Sequence, residues 1–269
     1  MDEYISTRRP YNAFLASIVE DYFFMDIPVE ALSGKTEFIV PFPRITFCYY
    51  FDRPFSLTNH NTQETVIEKI IITKVSTTQI SILPTTDRVK ILGTHIKPFA
   101  LAYFTKQPIH KLPWLINTED LFGDIAVKFQ NKINVCTDPE QMFDVIEDIF
   151  LDNVLVRDLS LITRAVELIE TSDTNLSIEE LSSQLNTTER TLRNHFYEHI
   201  GCSPKEYLQI VKIKKVAYQL KYSDQSLTDI AFDNHYFDQA HFINDLKKIT
   251  GYSPGELRKL IPNFRFLQF

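Results

Sequence analysis

Leu176-Ser-Ile-Glu-Glu-Leu-Ser-Ser-Gln-Leu-Asn186, continued by Thr187 to Ile200 and closed by Gly201-Cys202-Ser203-Pro204, is one copy of a pattern the chain writes twice. The second copy is Ser226-Leu-Thr-Asp-Ile-Ala-Phe-Asp-Asn-His235, continued by Tyr236 to Thr250 and closed by Gly251-Tyr252-Ser253-Pro254, fifty positions further on. A repeat of that period duplicates whole supersecondary units. Each copy has the outline of a helix-turn-helix, a short helix, a tight turn and a longer helix.

Ser177 is placed to cap the first helix, with Glu180 as its reciprocal partner. Ile178, Leu181 and Leu185 then form one apolar stripe at helical spacing. Asn186 ends that helix, because Asn tolerates a left-handed turn better than most side chains. Thr187 or Thr188 caps the next helix, whose core face is Leu192, Phe196 and Ile200. Arg190, Arg193, Asn194 and Tyr197 follow on its other face at i, i+3, i+4 and i+7. In the second copy Phe242, Leu246 and Ile249 make the core stripe, and Gln239, Ala240, Ile243, Asn244 and Lys247 point outward. Ser203 to Tyr222, with Pro204 at the first helical position, reads as one rigid helix between the copies.

Two such units on a linking helix, each ending in Gly-x-Ser-Pro, resemble the DNA-binding domain of AraC/XylS-family transcription regulators. The resemblance is strongest over Asp224 to Arg258, in Tyr236-Phe-Asp-Gln-Ala-His-Phe-Ile-Asn-Asp-Leu-Lys-Lys248, Gly251 and Ser253-Pro254. The family commonly has Gly where Asn186 and His235 stand, and often Arg where Asn194 and Asn244 stand. The resemblance implies a sequence-specific DNA-binding regulator whose recognition helices enter successive major-groove segments, about 34 Å apart. It implies that Arg190, Arg193 and Asn194 read the first segment, and Gln239, Ala240, Ile243 and Asn244 the second. Tyr197, Lys247 and the helix caps would hold phosphates.

Length and composition frame the rest. At 269 residues, 44% hydrophobic and 23% charged, the chain reads as two ordinary globular domains. These are a regulatory or dimerisation domain over 1–155 and a DNA-binding domain over 156–269, with helix-turn-helix units at 177–200 and 226–250. The net charge is −7, yet after Val154 fifteen acidic side chains face fourteen basic ones, so most of the excess acid lies in the first domain. DNA affinity is therefore expected from local faces: Arg190/Arg193, Lys212/Lys214/Lys215 and Lys247/Lys248. Cys48, Cys136 and Cys202 are scattered, without CxxC, which fits reduced thiols in a cytoplasm. The start, through Arg8-Arg9-Pro10, lacks a signal-peptide core, and no apolar run reaches membrane-spanning length.

Residues 11–24 read as an amphipathic helix, with Phe14, Leu15, Ile18 and Tyr22 on one side. From Thr36 to about Lys97 the period changes to two, with strands at Ile45–Phe51, Glu68–Val75, Gln79–Leu83 and Val89–His95. Helices follow over Thr118–Ile133 and Asp138 to about Leu155. The expected fold is thus α+β, a small antiparallel sandwich or barrel with flanking helices, followed by an all-α domain of seven helices. Ile91-Leu-Gly-Thr-His-Ile-Lys-Pro-Phe-Ala100, Pro108 and Asn117-Thr-Glu-Asp-Leu-Phe-Gly123 resemble the N-terminal domain carried by many regulators of the same family, which implies effector sensing or dimerisation. Phe143, Ile146 and Phe150 form a stripe for its own sheet or a second subunit.

Catalysis has no foothold in the sequence. His60, His95 and His110 are isolated, so neither a metal nor a cofactor is expected. His195 and His199 are four apart on a helix but lack a zincin's glutamate. Ser33-Gly34, Ser76 and Ser81 sit in no nucleophile elbow. Neither Cys48 nor Cys136 has the Pro-Cys-His setting of the repair methyltransferases that carry a similar module. One face of a strand, Phe47, Tyr49 and Phe51, is the candidate wall of a ligand pocket, with packed core as its competing role. Double-stranded DNA is the expected partner. A small-molecule effector, RNA polymerase and a second copy of the chain are further candidates, and no membrane is expected. The alternative is a protein-interaction module whose helix-turn-helix units no longer bind DNA, a reading the low basic charge favours.

Overall fold

The computed structural model describes residues 4–31, 36–39, 41–52, 55–172 and 176–261; Ser33 and Gly34 lie outside them. Strands β1 (Ile5–Arg8), β2 (Val19–Pro28), β4 (Ile45–Tyr50), β7 (Ile70–Thr73), β9 (Arg88–Ile96) and β10 (Leu115–Asn117) form a six-stranded sheet in the order β1-β2-β9-β4-β7-β10. A second sheet, in the order β3-β8-β5-β6, comprises β3 (Glu37–Ile39), β5 (Phe55–Asn59), β6 (Glu64–Val66) and β8 (Ile80–Pro84). Neighbouring strands pair antiparallel. The expected sandwich is present, with more strands than the alternation in the sequence marks.

The central strand β4 explains the layering. Cys48 and Tyr50 join Ile27, Phe55, Leu57, Ile71, Ile82 and Ile91 in a core between the sheets. Phe47 and Tyr49, on its other face, join a core beneath the helices. Apolar residues on both faces are what a strand covered on both sides requires. Of those helices, α1 (Ala13–Ile18) is shorter than the sequence suggests. It ends where Val19 turns extended and β2 begins, so Tyr22 reaches the core from a strand that pairs with β9. The segment 118–133 is likewise two helices, α2 (Thr118–Phe122) and α3 (Asp124–Ile133), broken at Gly123 with φ of 52°. Helix α4 (Pro139–Asn153) starts at the Asp138 cap as expected. Its Phe143 stacks on Tyr22 at 6.0 Å and Phe150 meets Phe47 at 6.2 Å, so this stripe covers the chain's own sheet.

Seven helices follow among the described residues: α5 (Ser160–Thr171), α6 (Ile178–Gln184), α7 (Glu189–His199), α8 (Pro204–Tyr222), α9 (Leu227–Asp233), α10 (Gln239–Thr250) and α11 (Pro254–Leu260). No helix among the described residues is long and apolar enough to cross a membrane. Helix α8 supplies Tyr207, Ile210 and Val211 to the core that holds the first motif and Ile213, Val216, Ala217 and Leu220 to a separate core for the second. The first of these cores runs without a break into the β-rich region, through Leu101, Ile109 and Leu159. A cut near residue 155 would therefore open apolar surface on both pieces.

His199 ends α7 in this shared core at 7% exposure, with its Nδ1 buried and unpartnered among the described residues. Burial above all pulls its pKa below the ordinary 6.5, with His195 and Arg157 adding to the effect and Glu198 opposing it. The folded state then holds fewer protons than the unfolded one, so this stability is present above pH 6.5 and lost as pH falls toward the folded value. The melting temperature is expected to drop between pH 7 and pH 5 more steeply in the wild type than in His199→Gln. Equal slopes in a thermal scan series would refute the assignment.

Candidate nucleic-acid interface

Each helix-turn-helix is built by local chemistry. Ser177 and Glu180 form a reciprocal capping box at the start of α6, with Oγ accepting from the Glu180 amide at 3.1 Å. Asn186 takes φ of 51° and His235 takes φ of 55°, so both turns adopt the left-handed conformation where the AraC/XylS pattern commonly has Gly. Thr188, rather than Thr187, caps α7, and Asp238 caps α10. With Leu192 and Phe196 buried on one side of α7, Arg190, Arg193, Asn194 and Tyr197 are exposed on the other. On α10, Phe242, Leu246 and Ile249 are buried, and Gln239, Ala240, Ile243, Asn244 and Lys247 are exposed.

Two of these side chains are held in place. The Gln239 amide nitrogen donates to Thr228 Oγ1 at 2.6 Å, which leaves its carbonyl oxygen free to accept. Tyr197 lies at the margin of the β-rich region: His110 Nδ1 donates to its carbonyl at 3.1 Å and the two rings are 5.9 Å apart. One exposed side chain escaped the sequence reading. Phe237, directly before the Asp238 cap, is 94% exposed, and helical periodicity gives no signal for a turn residue outside the stripe.

The run Lys212/Lys214/Lys215 is not the free basic face its spacing suggests. Lys212 sits over the Tyr236 ring with its Nζ 3.6 Å from the centroid. Lys214 lies over Phe42 at 4.7 Å, and Lys215 donates to the Ser172 carbonyl at 2.6 Å. Burial lowers the pKa of both Lys212 and Lys214. Helix α8 is the floor between two cores, and a lysine there reaches water only past its neighbours. Lys205, Lys212, Lys215 and Lys248 nevertheless line an open groove of about 950 Å³ between the motifs.

The β-rich region is coupled to the helices by buried polar groups. Arg44, 7% exposed, donates to Glu20 within the sandwich and through both Nη atoms to Glu170 on α5, one bond being 3.0 Å. Tyr207 on α8 donates to the same Glu170 carboxylate. Burial alone would lower the Arg44 pKa, but Glu170 and Glu20 raise it further. A Cβ at Gly251, where φ is 81°, would overlap the Gln79 amide, whose nitrogen donates to the Thr250 carbonyl at 3.3 Å. The second motif thus also touches the sandwich.

A cavity of about 300 Å³ opens between the sheets. Phe23, Met25, Tyr50, Phe55, Ile71 and Ile82 wall it, and Arg44, His95 and Lys214 also line it. It lies on the opposite face of β4 from Phe47 and Tyr49. Those two pack edge-on against Phe129 at 5.3 and 5.6 Å, with Phe51 against Tyr49, around a gap of only about 40 Å³ beside Phe47. The isolated histidines have protein partners: His60 Nε2 meets Ser81 Oγ, and His95 Nδ1 meets Asp21 at 2.6 Å.

A β sandwich with helical cover, joined to two helix-turn-helix units on one connecting helix, defines a two-part architecture. Residues 181–260 match the model of a helix-turn-helix domain. The chain is 33% identical over 81 residues to the HTH-type transcriptional activator RhaS of Klebsiella pneumoniae (strain 342), covering 30% of this chain and 29% of that protein. It is 29% identical over 106 residues to an HTH-type transcriptional regulator of Haemophilus influenzae, covering 39% of this chain and 36% of the other. The chain thus matches about a third of the length of these curated relatives. Its C-terminal region is a helix-turn-helix domain of AraC type. Across both parts the fold is similar to that of ToxT from Vibrio cholerae, with a TM-score of 0.53 at 12% identity, covering 96% of this chain and 98% of that one. A second structure, of unsaturated fatty acid bound ToxT, covers 95% of each chain at 12% identity and a TM-score of 0.50. At such identity the likeness is one of fold.

Proposed function

We propose that the chain is a cytoplasmic, sequence-specific DNA-binding transcription regulator of the AraC/XylS kind. Helices α7 and α10 enter successive major-groove segments on one face of the duplex. Arg190, Arg193 and Asn194 read the first segment, and Gln239, Ala240, Ile243 and Asn244 the second, while Tyr197 and Lys247 contact phosphates. The observation that carries this reading is the pair of capped motifs with every one of these side chains exposed beside a buried stripe.

The β-rich region takes a small-molecule effector and carries any self-association, which leaves RNA polymerase to be met by the helical part. Its cavity suits an amphiphile with an anionic head. The walls are apolar, and Lys214, destabilised as a cation by burial first and then by Arg44 against the opposing pull of Glu20 and Glu170, lines the cavity where a carboxylate head would add to that pull. ToxT, which shares the fold, has been seen with an unsaturated fatty acid bound. The effector wall is then the Cys48/Tyr50 face of β4, and Phe47, Tyr49 and Phe51 support it from behind.

The test is selection of preferred duplexes by the full chain, followed by footprinting with and without a long-chain unsaturated carboxylate. Two protected segments one helical turn apart are expected. The acid, but not its methyl ester, should alter affinity and raise the melting temperature. Equal affinity for selected and random duplex at every salt concentration would favour the alternative, an interaction module that no longer binds DNA. The net charge of −7 and the 80% exposure of Phe232 support that second reading.

A further inference from the structure

The outward faces of the two recognition helices differ in kind. On α7 the exposed stripe is Arg190, Arg193 and Asn194. Along α10 and the residue before its cap, Phe237, Ala240 and Ile243 follow at three-residue steps and all are exposed, Phe237 at 94% and Ile243 at 41%. Scattered apolar side chains on a surface need no explanation, but Ala240 and Ile243 on one helix face, with exposed Phe237 just before its cap, do. Neither the core of this motif nor the β-rich region takes up these side chains.

A duplex major groove offers one hydrophobic group, the C5-methyl of thymine, and apolar side chains such as Ala and Phe meet it there. The side chains flanking the row suit the partner base. Asn244 can pair with adenine through two bonds, and Gln239, tied to Thr228 by its nitrogen, presents its carbonyl oxygen to the adenine amino group. Resting on the DNA-binding reading above, we propose that the two halves of the target are chemically unlike. Helix α7 reads a guanine-bearing segment, while α10 reads an A·T-rich segment by thymine methyls packed against Phe237, Ala240 and Ile243. Phe237 thereby becomes a specificity residue of the second motif. The acidic chain gains affinity there from contacts that need no charge.

Uracil in place of thymine removes the methyl and changes nothing else at the base edge, so the test begins on the nucleic acid. The full chain is titrated with its selected duplex carrying deoxyuridine in one segment at a time. Substitution in the α10 segment should weaken binding about threefold to fourfold per contacted thymine, as expected for one buried methyl group. Substitution in the α7 segment should change it little. The double variant Phe237→Ala/Ile243→Ala, which leaves Ala240 in place, should lose most of the discrimination between thymine and uracil duplexes. Phe232→Ala, which removes another exposed ring outside the row, should keep the discrimination. Equal wild-type affinity for both duplexes, or discrimination undiminished in the double variant, overturns the proposal while leaving DNA binding intact. A chain that selects no duplex at all overturns the DNA-binding reading and this inference together.

Discussion

Glu170→Ala is expected to lower the unfolding free energy by about 3 kcal/mol, because it strips a buried guanidinium of its two-pronged partner. Arg44 is 7% exposed and cannot turn to water, while Glu170 receives bonds from both Arg44 and Tyr207. The figure is at the low end for breaking a buried pair, since Glu20 still faces Arg44 and the Glu170 side chain is one-fifth exposed. For a chain of this size the melting temperature should fall by roughly 6–12 °C. The double variant Arg44→Met/Glu170→Leu, which removes both charges, should recover most of the loss. Urea titrations of the three proteins decide the matter. A Glu170→Ala midpoint equal to the wild type would show that the pair is not what joins the sandwich to α5 and α8. Acid should act on the same network. Burial pushes the Glu20 carboxyl up, but Arg44 and Lys97 outweigh it and hold the group below the ordinary 4.5. That stability is present above pH 4.5 and lost as pH falls through the folded value.

The features legible in the sequence are those fixed within one or two helical turns. Ser177, Asn186, Pro204 and His235 each act on backbone atoms a few residues away, so their identity alone nearly determines the turn. The exposed faces of α7 and α10 follow from the same arithmetic once Leu192 and Phe242 are inside. What the sequence hides is decided by distant partners. Val19 to Pro28 has helical spacing at its start, yet pairing with β1 on one side and β9 on the other makes it a strand. The cavity is hidden because β4 is apolar on both faces, and only the second sheet tells which face encloses space. The lysines of α8 look like an exposed run, but Tyr236, Phe42 and the Ser172 carbonyl come from three different parts of the chain. The shared core beneath the first motif is equally silent in sequence. Ile109 beside Gly201 joins positions that no local pattern relates, with a Cβ at Gly201 falling 3.0 Å from the Ile109 side chain.

Arg193→Ala should weaken binding to the selected duplex about tenfold to a hundredfold while changing binding to random duplex much less. Arg193 lies exposed on α7, one residue after buried Leu192 and three before buried Phe196, so its side chain leaves the packed stripe. A two-bonded contact from Arg to guanine contributes roughly 1–3 kcal/mol of discrimination, which is the stated range in affinity. The fold should not suffer, since the substitution removes an exposed side chain and Ala favours helix. Lys247→Ala, in the last turn of α10, tests the opposite role. A phosphate contact carries no sequence information, so both duplexes should weaken alike and the slope of log affinity against log salt should fall by about one. Both variants are titrated on selected and random duplex at two salt concentrations beside the wild type. If Arg193→Ala bound both duplexes as tightly as the wild type, α7 would not be in the major groove. If Lys247→Ala lost affinity only for the selected duplex, α10 would be using that lysine to read bases.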